Sequence, residues 1–218
     1  MRAAGVLRLK EVCEWQSLVS KTPIRITRNM ENAIETDERK VKVLSSRYVS
    51  RRPWLTARCE SLELPDGRIV PEYYVLEYPD WVNTIALTEA GEFVFVRQYR
   101  HGLGITEYEL CAGVCEPDDP SPLEAARREL LEETGFGAGH WQPLMCLSAN
   151  PSTQNNLTHC FLATGVRPIG RQRLDATEDL SVHLLSLARV RELLLGDVLK
   201  QATHVAPLWK YFAENGLL

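Results

Sequence analysis

The chain has no long hydrophobic run. No apolar stretch approaches the roughly 18 residues that a membrane-spanning helix needs, so no helical span is expected. It has no excess of positive charge either. With 25 Lys and Arg against 29 Asp and Glu, the net charge is −4, which argues against a general nucleic-acid or anionic-membrane binder. Its six cysteines, Cys13, Cys59, Cys111, Cys115, Cys146 and Cys160, make no zinc pattern, because Cys111 and Cys115 stand alone at a spacing of four. They read as reduced thiols of a cytoplasmic protein, most of them small core residues. The N-terminus lacks the apolar core of a secretory signal. Residues 1–30 are mildly basic, as a transit peptide would be, but Glu11 and Glu14 argue against one. Internal repeats and low-complexity tracts are absent.

What remains is an ordinary globular balance, 44% hydrophobic and 25% charged over 218 residues. That suffices for one large core, or for one domain with a smaller attachment. One segment stands out, Gly113–Phe136, GVCEPDDPSPLEAARRELLEETGF. Ser121 suits an N-cap, Pro122 the first helical position, and Glu124 completes a capping box. Gly135 suits the left-handed residue that ends a helix, so a helix is predicted over 122–134. Leu123, Ala126, Leu130 and Thr134 then share one face, and Glu129, Glu132 and Glu133 lie on an adjacent arc. Those spacings put three carboxylates within reach of one cation. Oxygen ligands suit Mg²⁺ or Mn²⁺ rather than zinc, and Mg²⁺ shares its shell with waters and substrate phosphates, so a partial protein cage is enough. The plainer alternative is a solvated face on which Arg128 and Glu132 form an i,i+4 pair.

Around this helix the pattern is mostly that of strands. Val41–Val49, Trp54–Leu64 and Arg68–Tyr78 are rich in β-branched and aromatic residues, and Pro65-Asp66-Gly67 is a hairpin turn between the last two. Trp81–Leu87 and Glu92–Gln98 form another pair. Leu144–Ser148, His159–Ala163 and Leu180–Ser186 are further strands, and amphipathic helices are expected near Leu187–Leu195 and Ala206–Asn215. The polar stretch Gly165–Asp179 reads as a mobile loop. Strands flanking a helix, with helices after them, argue an α/β layered sandwich.

Residues 128–136, Arg-Glu-Leu-Leu-Glu-Glu-Thr-Gly-Phe, resemble the second half of the Nudix box at every specified position. The first half departs: Gly113 is present, but Asp119 stands where the box has glutamate, with one extra residue before Arg128. The resemblance implies a Nudix α/β/α sandwich with a mixed sheet over residues 81–218. It also implies a small N-terminal β-domain over 41–80, like the one that exchanges across homodimers of ADP-ribose and nucleotide-sugar pyrophosphatases. Residues 1–40 form an unplaced extension. Arg97-Gln98-Tyr99-Arg100 resembles a motif of that branch, and an arginine fork matches phosphate oxygens. Glu109-Leu110-Cys111-Ala112-Gly113 resembles its E-L-P-A-G, which implies the Ala112 carbonyl as a metal ligand. Pro151 falls where those enzymes carry a distinguishing proline. The polar loop Asn150–Asn156 faces a sugar or phosphate, or is a solvated turn.

The family likeness implies Mg²⁺-dependent hydrolysis of the diphosphate in a nucleoside diphosphate derivative, such as ADP-ribose or a related nucleotide sugar. Glu129 and Glu133 are the expected principal metal ligands, Glu132 supports them, and Arg128 holds a glutamate in place. A general base from a separate loop is assigned to Glu178, with Asp175 and Asp179 as alternates. Arg97, Arg100, Glu109 and Trp81 are candidate substrate-binding residues. Trp81, between Asp80 and Asn83, either stacks on a base or joins the core. The rival readings are a GDP-mannose or dinucleotide hydrolase, and a catalytically weak nucleotide sensor, which Asp119 and the insertion favour.

Overall fold

The computed structural model describes residues 40–175 and 178–218, divided between two sheets. The first is antiparallel: β1 (Lys42–Arg52), β2 (Leu55–Glu63) and β3 (Ile69–Glu77) in sequence order. Pro65-Asp66-Gly67 does turn the chain between β2 and β3. The Gly67 N–H closes on the Leu64 carbonyl at 2.9 Å, with Gly67 at φ 83°, a conformation that glycine takes without steric cost. The Asn150–Asn156 loop docks on the free edge of this sheet. The Leu76 N–H donates to the Thr153 carbonyl at 2.7 Å, and the Asn155 side chain accepts from the Tyr78 N–H at 3.2 Å. Its backbone is an edge partner for β3 rather than a freely solvated turn.

The second sheet is mixed and carries the helices. It comprises β4 (Trp81–Thr88), β5 (Phe93–Arg100), β6 (Ile105–Val114), β7 (Phe136–Gly137), β8 (His140–Leu147), β9 (Thr158–Pro168) and β10 (Leu180–Leu185). The order is β10-β5-β6-β4-β9-β7, with β8 also paired to β9; β4 and β9 run parallel, and the other pairs are antiparallel. Alternate residues of β4 and β5 face opposite layers. Ile85, Leu87, Phe93 and Phe95 join Val190 and Leu194 of α2 (Leu187–Leu195) and Leu208 and Phe212 of α3 (Ala202–Glu214). Val82, Ala86 and Val94 face Ala125, Ala126 and Leu130 of α1 (Pro122–Thr134) or its surroundings on the other side. This is the expected α/β/α sandwich behind a small β-domain. Among the described residues no helix is long and apolar enough to cross a membrane. The extension expected over residues 1–40 lies, up to residue 39, outside the described residues.

Several elements differ from the sequence expectation, among them β7, which no pattern marks, and β8, which starts at His140 rather than Leu144. Apolar alternation does not announce β6, because two of its buried positions are Glu107 and Glu109. They are tolerated inside because the Lys200 N–H donates to Glu107 at 2.8 Å and Arg100 pairs with Glu109. Helix α3 begins at Ala202, four residues before the expected start, and so encloses Pro207. A proline has no N–H to offer the carbonyl four residues back. The Asn83 amide donates to that Thr203 carbonyl instead, at 2.7 Å. Strand β9 continues to Pro168, so Gly165 belongs to a strand.

Candidate active site

The site is built around α1, whose ends form as its sequence requires. The Ser121 hydroxyl accepts from the Glu124 N–H at 3.3 Å, and Gly135, at φ 74°, donates to the Leu131 carbonyl at 2.8 Å. This pose turns Glu129 and Glu133 inward, both nearly fully buried, while Glu132 stays partly exposed. The Glu129 carboxylate lies directly on Gly113 of β6. A Cβ at Gly113 would meet its carboxyl carbon at 2.0 Å. The glycine that heads the box is therefore needed for space rather than for backbone freedom. Glu133 accepts from the Ala112 N–H at 3.1 Å.

Arg128 organises the rim. Its Nε and Nη2 donate to the two Asp119 oxygens at 3.1 and 2.8 Å, and Nη2 also reaches the Val114 carbonyl at 2.9 Å. Its Nη1 donates to Glu129 at 3.0 Å and to Glu132 at 2.9 Å. The Asp119 carboxylate accepts from the Glu116 N–H as well, at 2.8 Å, so the inserted residue is absorbed in a closed turn. Asp119 thus serves as an anchor for Arg128, and the pairing holds its carboxyl below the usual range. The i,i+4 pair between Arg128 and Glu132 also forms, beside the inward carboxylates rather than instead of them.

Burial pushes Glu129 up to about 7 and Glu133 up to about 8, as expected of carboxylates taken from water, and the Arg128 guanidinium offsets only part of the rise at Glu129. Repulsion from Glu132 adds to the Glu129 shift and repulsion from Glu129 to the Glu133 shift, and the charge of Glu178 adds to both. Burial also holds the neighbouring Cys111 thiol well up, so it stays protonated beside Glu133. Among the described residues no three Asp, Glu, His or Cys side chains converge tightly enough to hold a metal alone. Two buried carboxylates, one over Gly113 and one on the Ala112 N–H, fit a partly hydrated Mg²⁺ better than an all-protein cage. Glu132, drawn to Arg128, stands to one side.

Glu178 is exposed. It accepts from the Asp175 N–H at 2.9 Å, and its own N–H donates to the Asp175 carbonyl at 3.0 Å; Ala176 and Thr177 lie outside the described residues. The stretch before it is not the free loop that its composition suggests. Ile169 and Gly170 donate to the Gly135 carbonyl at 3.0 and 3.1 Å, Arg173 to that of Glu132 at 2.8 Å, and the Gln172 amide to that of Glu133 at 2.7 Å. These bonds satisfy carbonyls that a helix end leaves open. They tie the Glu178 segment to the helix that carries Glu129 and Glu133.

Of the substrate-binding candidates, Arg100 and Trp81 line a cavity of about 360 Å³ together with Ala112 and Gly113. Trp81 is half-buried and sits 5.7 Å from the Tyr78 ring. The Arg100 guanidinium is engaged by both oxygens of Glu109, which is 1% exposed. Arg97 is not among the cavity's residues and lies 5.6 Å over the Tyr108 ring. Pro151 is exposed in the turn that docks on β3. The same cavity contains residues that no motif marks, namely Thr158, Gln201, Thr203 and His204, with Asn83 among them. They come from β4, β9 and the start of α3, which are remote in sequence, so no local spacing could have revealed them.

Comparison with known proteins agrees with this architecture. Residues 78–206 match the NUDIX domain, and residues 41–76 match the nucleoside diphosphate sugar hydrolase N-terminal domain. An ADP-ribose pyrophosphatase of Mycobacterium tuberculosis is 31% identical over 163 residues, 74% of this chain and 78% of that protein. An ADP-ribose pyrophosphatase of Bacillus subtilis is 31% identical over 129 residues, 59% of this chain and 69% of that protein. A crystal structure of an ADP compounds hydrolase superposes with a TM-score of 0.71 at 26% identity, covering 82% of this chain and 97% of that one. The chain belongs to the Nudix hydrolase family, with the N-terminal domain of its nucleoside diphosphate sugar hydrolases ahead of the NUDIX domain.

Proposed function

We propose that the chain hydrolyses the diphosphate bond of a nucleoside diphosphate derivative, ADP-ribose or a related nucleotide sugar, with Mg²⁺ as its metal and Mn²⁺ as a substitute. The observation that carries this reading is the pair of buried carboxylates, Glu129 packed over Gly113 and Glu133 bonded to the Ala112 N–H, against two residues that line a cavity. The names of the two ADP-ribose pyrophosphatase relatives support the choice of substrate. Glu129, Glu133 and the Ala112 carbonyl would hold the metal, with Glu132 at its edge. The cation, when bound, neutralises the diphosphate and lowers the pKa of an attacking water. Arg128 keeps Glu129 oriented through one hydrogen bond while Asp119 fixes the guanidinium. Glu178 is the general base: its charge already acts on Glu129 and Glu133, and its segment is tethered to the same helix.

The weak-sensor reading loses ground because Asp119 meets Arg128 through both oxygens despite the inserted residue. A homodimer belongs to the same proposal. On the first sheet Val43, Val49, Leu55 and Ile69 are each at least half exposed, and Trp54 at the β1–β2 turn is 71% exposed. Apolar surface of that kind is usually covered by a partner. The described cysteines are all free, which suits a cytoplasmic location. The test is product analysis on a panel of nucleotide sugars and dinucleotides with Mg²⁺, using wild type and Glu133→Gln. ADP-ribose cleaved to AMP and ribose 5-phosphate, with at least a hundredfold loss in a folded Glu133→Gln variant, is expected. Near-normal turnover by that variant at low Mg²⁺ would sink the assignment.

A further inference from the structure

Strands β8 and β9 run antiparallel, and their register sets Cys146 directly opposite His159. Strand β4 pairs with β9 in parallel, which brings Asp80, the residue before β4, to the same imidazole. The three side chains form a relay. His159 Nε2 lies 2.8 Å from one Asp80 oxygen, and His159 Nδ1 lies 3.7 Å from the Cys146 sulfur. Asp80 is itself held in place. Its other carboxylate oxygen accepts from the Leu157 N–H at 2.9 Å, and its carbonyl accepts from the Cys115 N–H at 2.8 Å. Burial works against its ionisation, but the Leu157 N–H and His159 outweigh that and hold the Asp80 carboxyl below its usual range. An ionised carboxylate can only accept, so Nε2 carries a proton. In the neutral ring Nδ1 then presents its lone pair to the thiol. Nucleophile, base and orienting acid stand in the sequence that activates a nucleophile.

We propose that Cys146 is a site of thiol–disulfide exchange with small-molecule disulfides, with His159 as its proton acceptor and Asp80 as the positioning residue. The proposal does not rest on the hydrolase reading. Cys146 is exposed on its strand, so a reactant with two substituents can approach it in line. The other described cysteines are less available. Cys59, Cys111 and Cys160 are buried, and burial pushes the Cys115 and Cys160 thiols up to about 11 and about 12. A metal site fits less well, because the ring stands between sulfur and carboxylate and turns a different nitrogen to each. In the exchange the Cys146 sulfur attacks one sulfur of the disulfide while its proton passes to His159 Nδ1. A bond forms between those two sulfurs, the original disulfide bond breaks, and the second sulfur leaves as a thiolate that takes the proton back. One thiol and one disulfide become one mixed disulfide and one thiol, so no further oxidant is consumed. Asp80 stabilises the imidazolium between the two proton transfers.

The test treats the full chain with glutathione disulfide at neutral pH. Intact mass follows the rate, peptide mapping locates the adduct, and thermal melts check folding. The forms compared are wild type, Cys146→Ser, His159→Gln, His159→Ala and Asp80→Asn. Wild type is expected to form a mixed disulfide first at Cys146, and Cys146→Ser to lose that adduct. His159→Gln is expected to slow the reaction at least tenfold. In Asp80→Asn the Leu157 N–H keeps the amide oxygen, so the amide nitrogen faces His159 and the ring proton moves to Nδ1. That variant is expected to react as slowly as His159→Gln, although thiol and imidazole are both retained. Added imidazole is expected to speed His159→Ala and not wild type, a rescue that a merely structural histidine would not show. If His159→Ala fails to fold, the Asp80→Asn rate decides. An adduct formed first at another cysteine, no adduct in wild type, or equal rates in all folded forms overturns the proposal. Oxidation of Cys146 by hydrogen peroxide without any mixed disulfide overturns it in favour of a peroxide-reactive thiol.

Discussion

Gly113→Ala isolates the geometry of the proposed metal site from the stability of the fold. A Cβ at this position would lie 2.0 Å from the Glu129 carboxyl carbon and 2.1 and 2.3 Å from its oxygens. Ordinary contact begins at 3.4 Å, so the carboxylate must retreat by about 1.4 Å. It stands at the end of a flexible side chain, and Gly113 has no left-handed backbone to strain, so the strand itself survives. An alanine here also restricts the unfolded chain, worth about 0.4–1 kcal/mol, which offsets a weakened Arg128–Glu129 bond of similar size. The melting temperature should therefore move little. Activity should not be spared, since a misplacement of about 1 Å at reacting groups costs on the order of a hundredfold, about 2.7 kcal/mol of barrier. The assay combines turnover of ADP-ribose against Mg²⁺ concentration with Mn²⁺ titration by electron paramagnetic resonance and a thermal melt. A stable Gly113→Ala protein with wild-type turnover and wild-type Mn²⁺ affinity would refute the placement of Glu129 at the metal.

Further predictions concern pH, the base and assembly. Glu129 and Glu133 rise from 4.5 to about 7 and about 8 on folding, so between those limits the folded metal-free protein holds protons that the unfolded chain has released. Stability then falls as pH rises through that window, by on the order of a few kcal/mol, and saturating Mg²⁺ should remove the fall because the cation replaces the protons. Melts at about pH 5 and about pH 9, with chelator or with Mg²⁺, decide this; a metal-free protein equally stable at both would contradict the buried carboxylates. Glu178→Gln should lower turnover strongly while leaving Mn²⁺ affinity nearly intact, because a base acts mainly in the transition state. Normal turnover there, with loss on changing Asp175 or Asp179, moves the base along the same segment, and tolerance of all three moves it to Glu129. Light scattering should report a homodimer at micromolar concentration; a fully active monomer would exclude a contribution of the first sheet to a partner's site.

The helix that carries the proposed metal ligands was determined locally. Its cap, its stop and the spacing of Glu129, Glu132 and Glu133 depend on neighbours within a few residues, and so does the hairpin turn at Gly67, so sequence patterns suffice for them. The cavity was decided by the tertiary structure alone. Strand β6 hides in the sequence because its buried side chains are carboxylates, which become tolerable only once Arg100 and the Lys200 backbone arrive from distant segments. The start of α3 hides behind Pro207, whose missing hydrogen bond is compensated by Asn83, 120 residues away along the chain. Local propensity carries no information about such a partner, because burying a polar group is favourable or costly according to what the fold places opposite it.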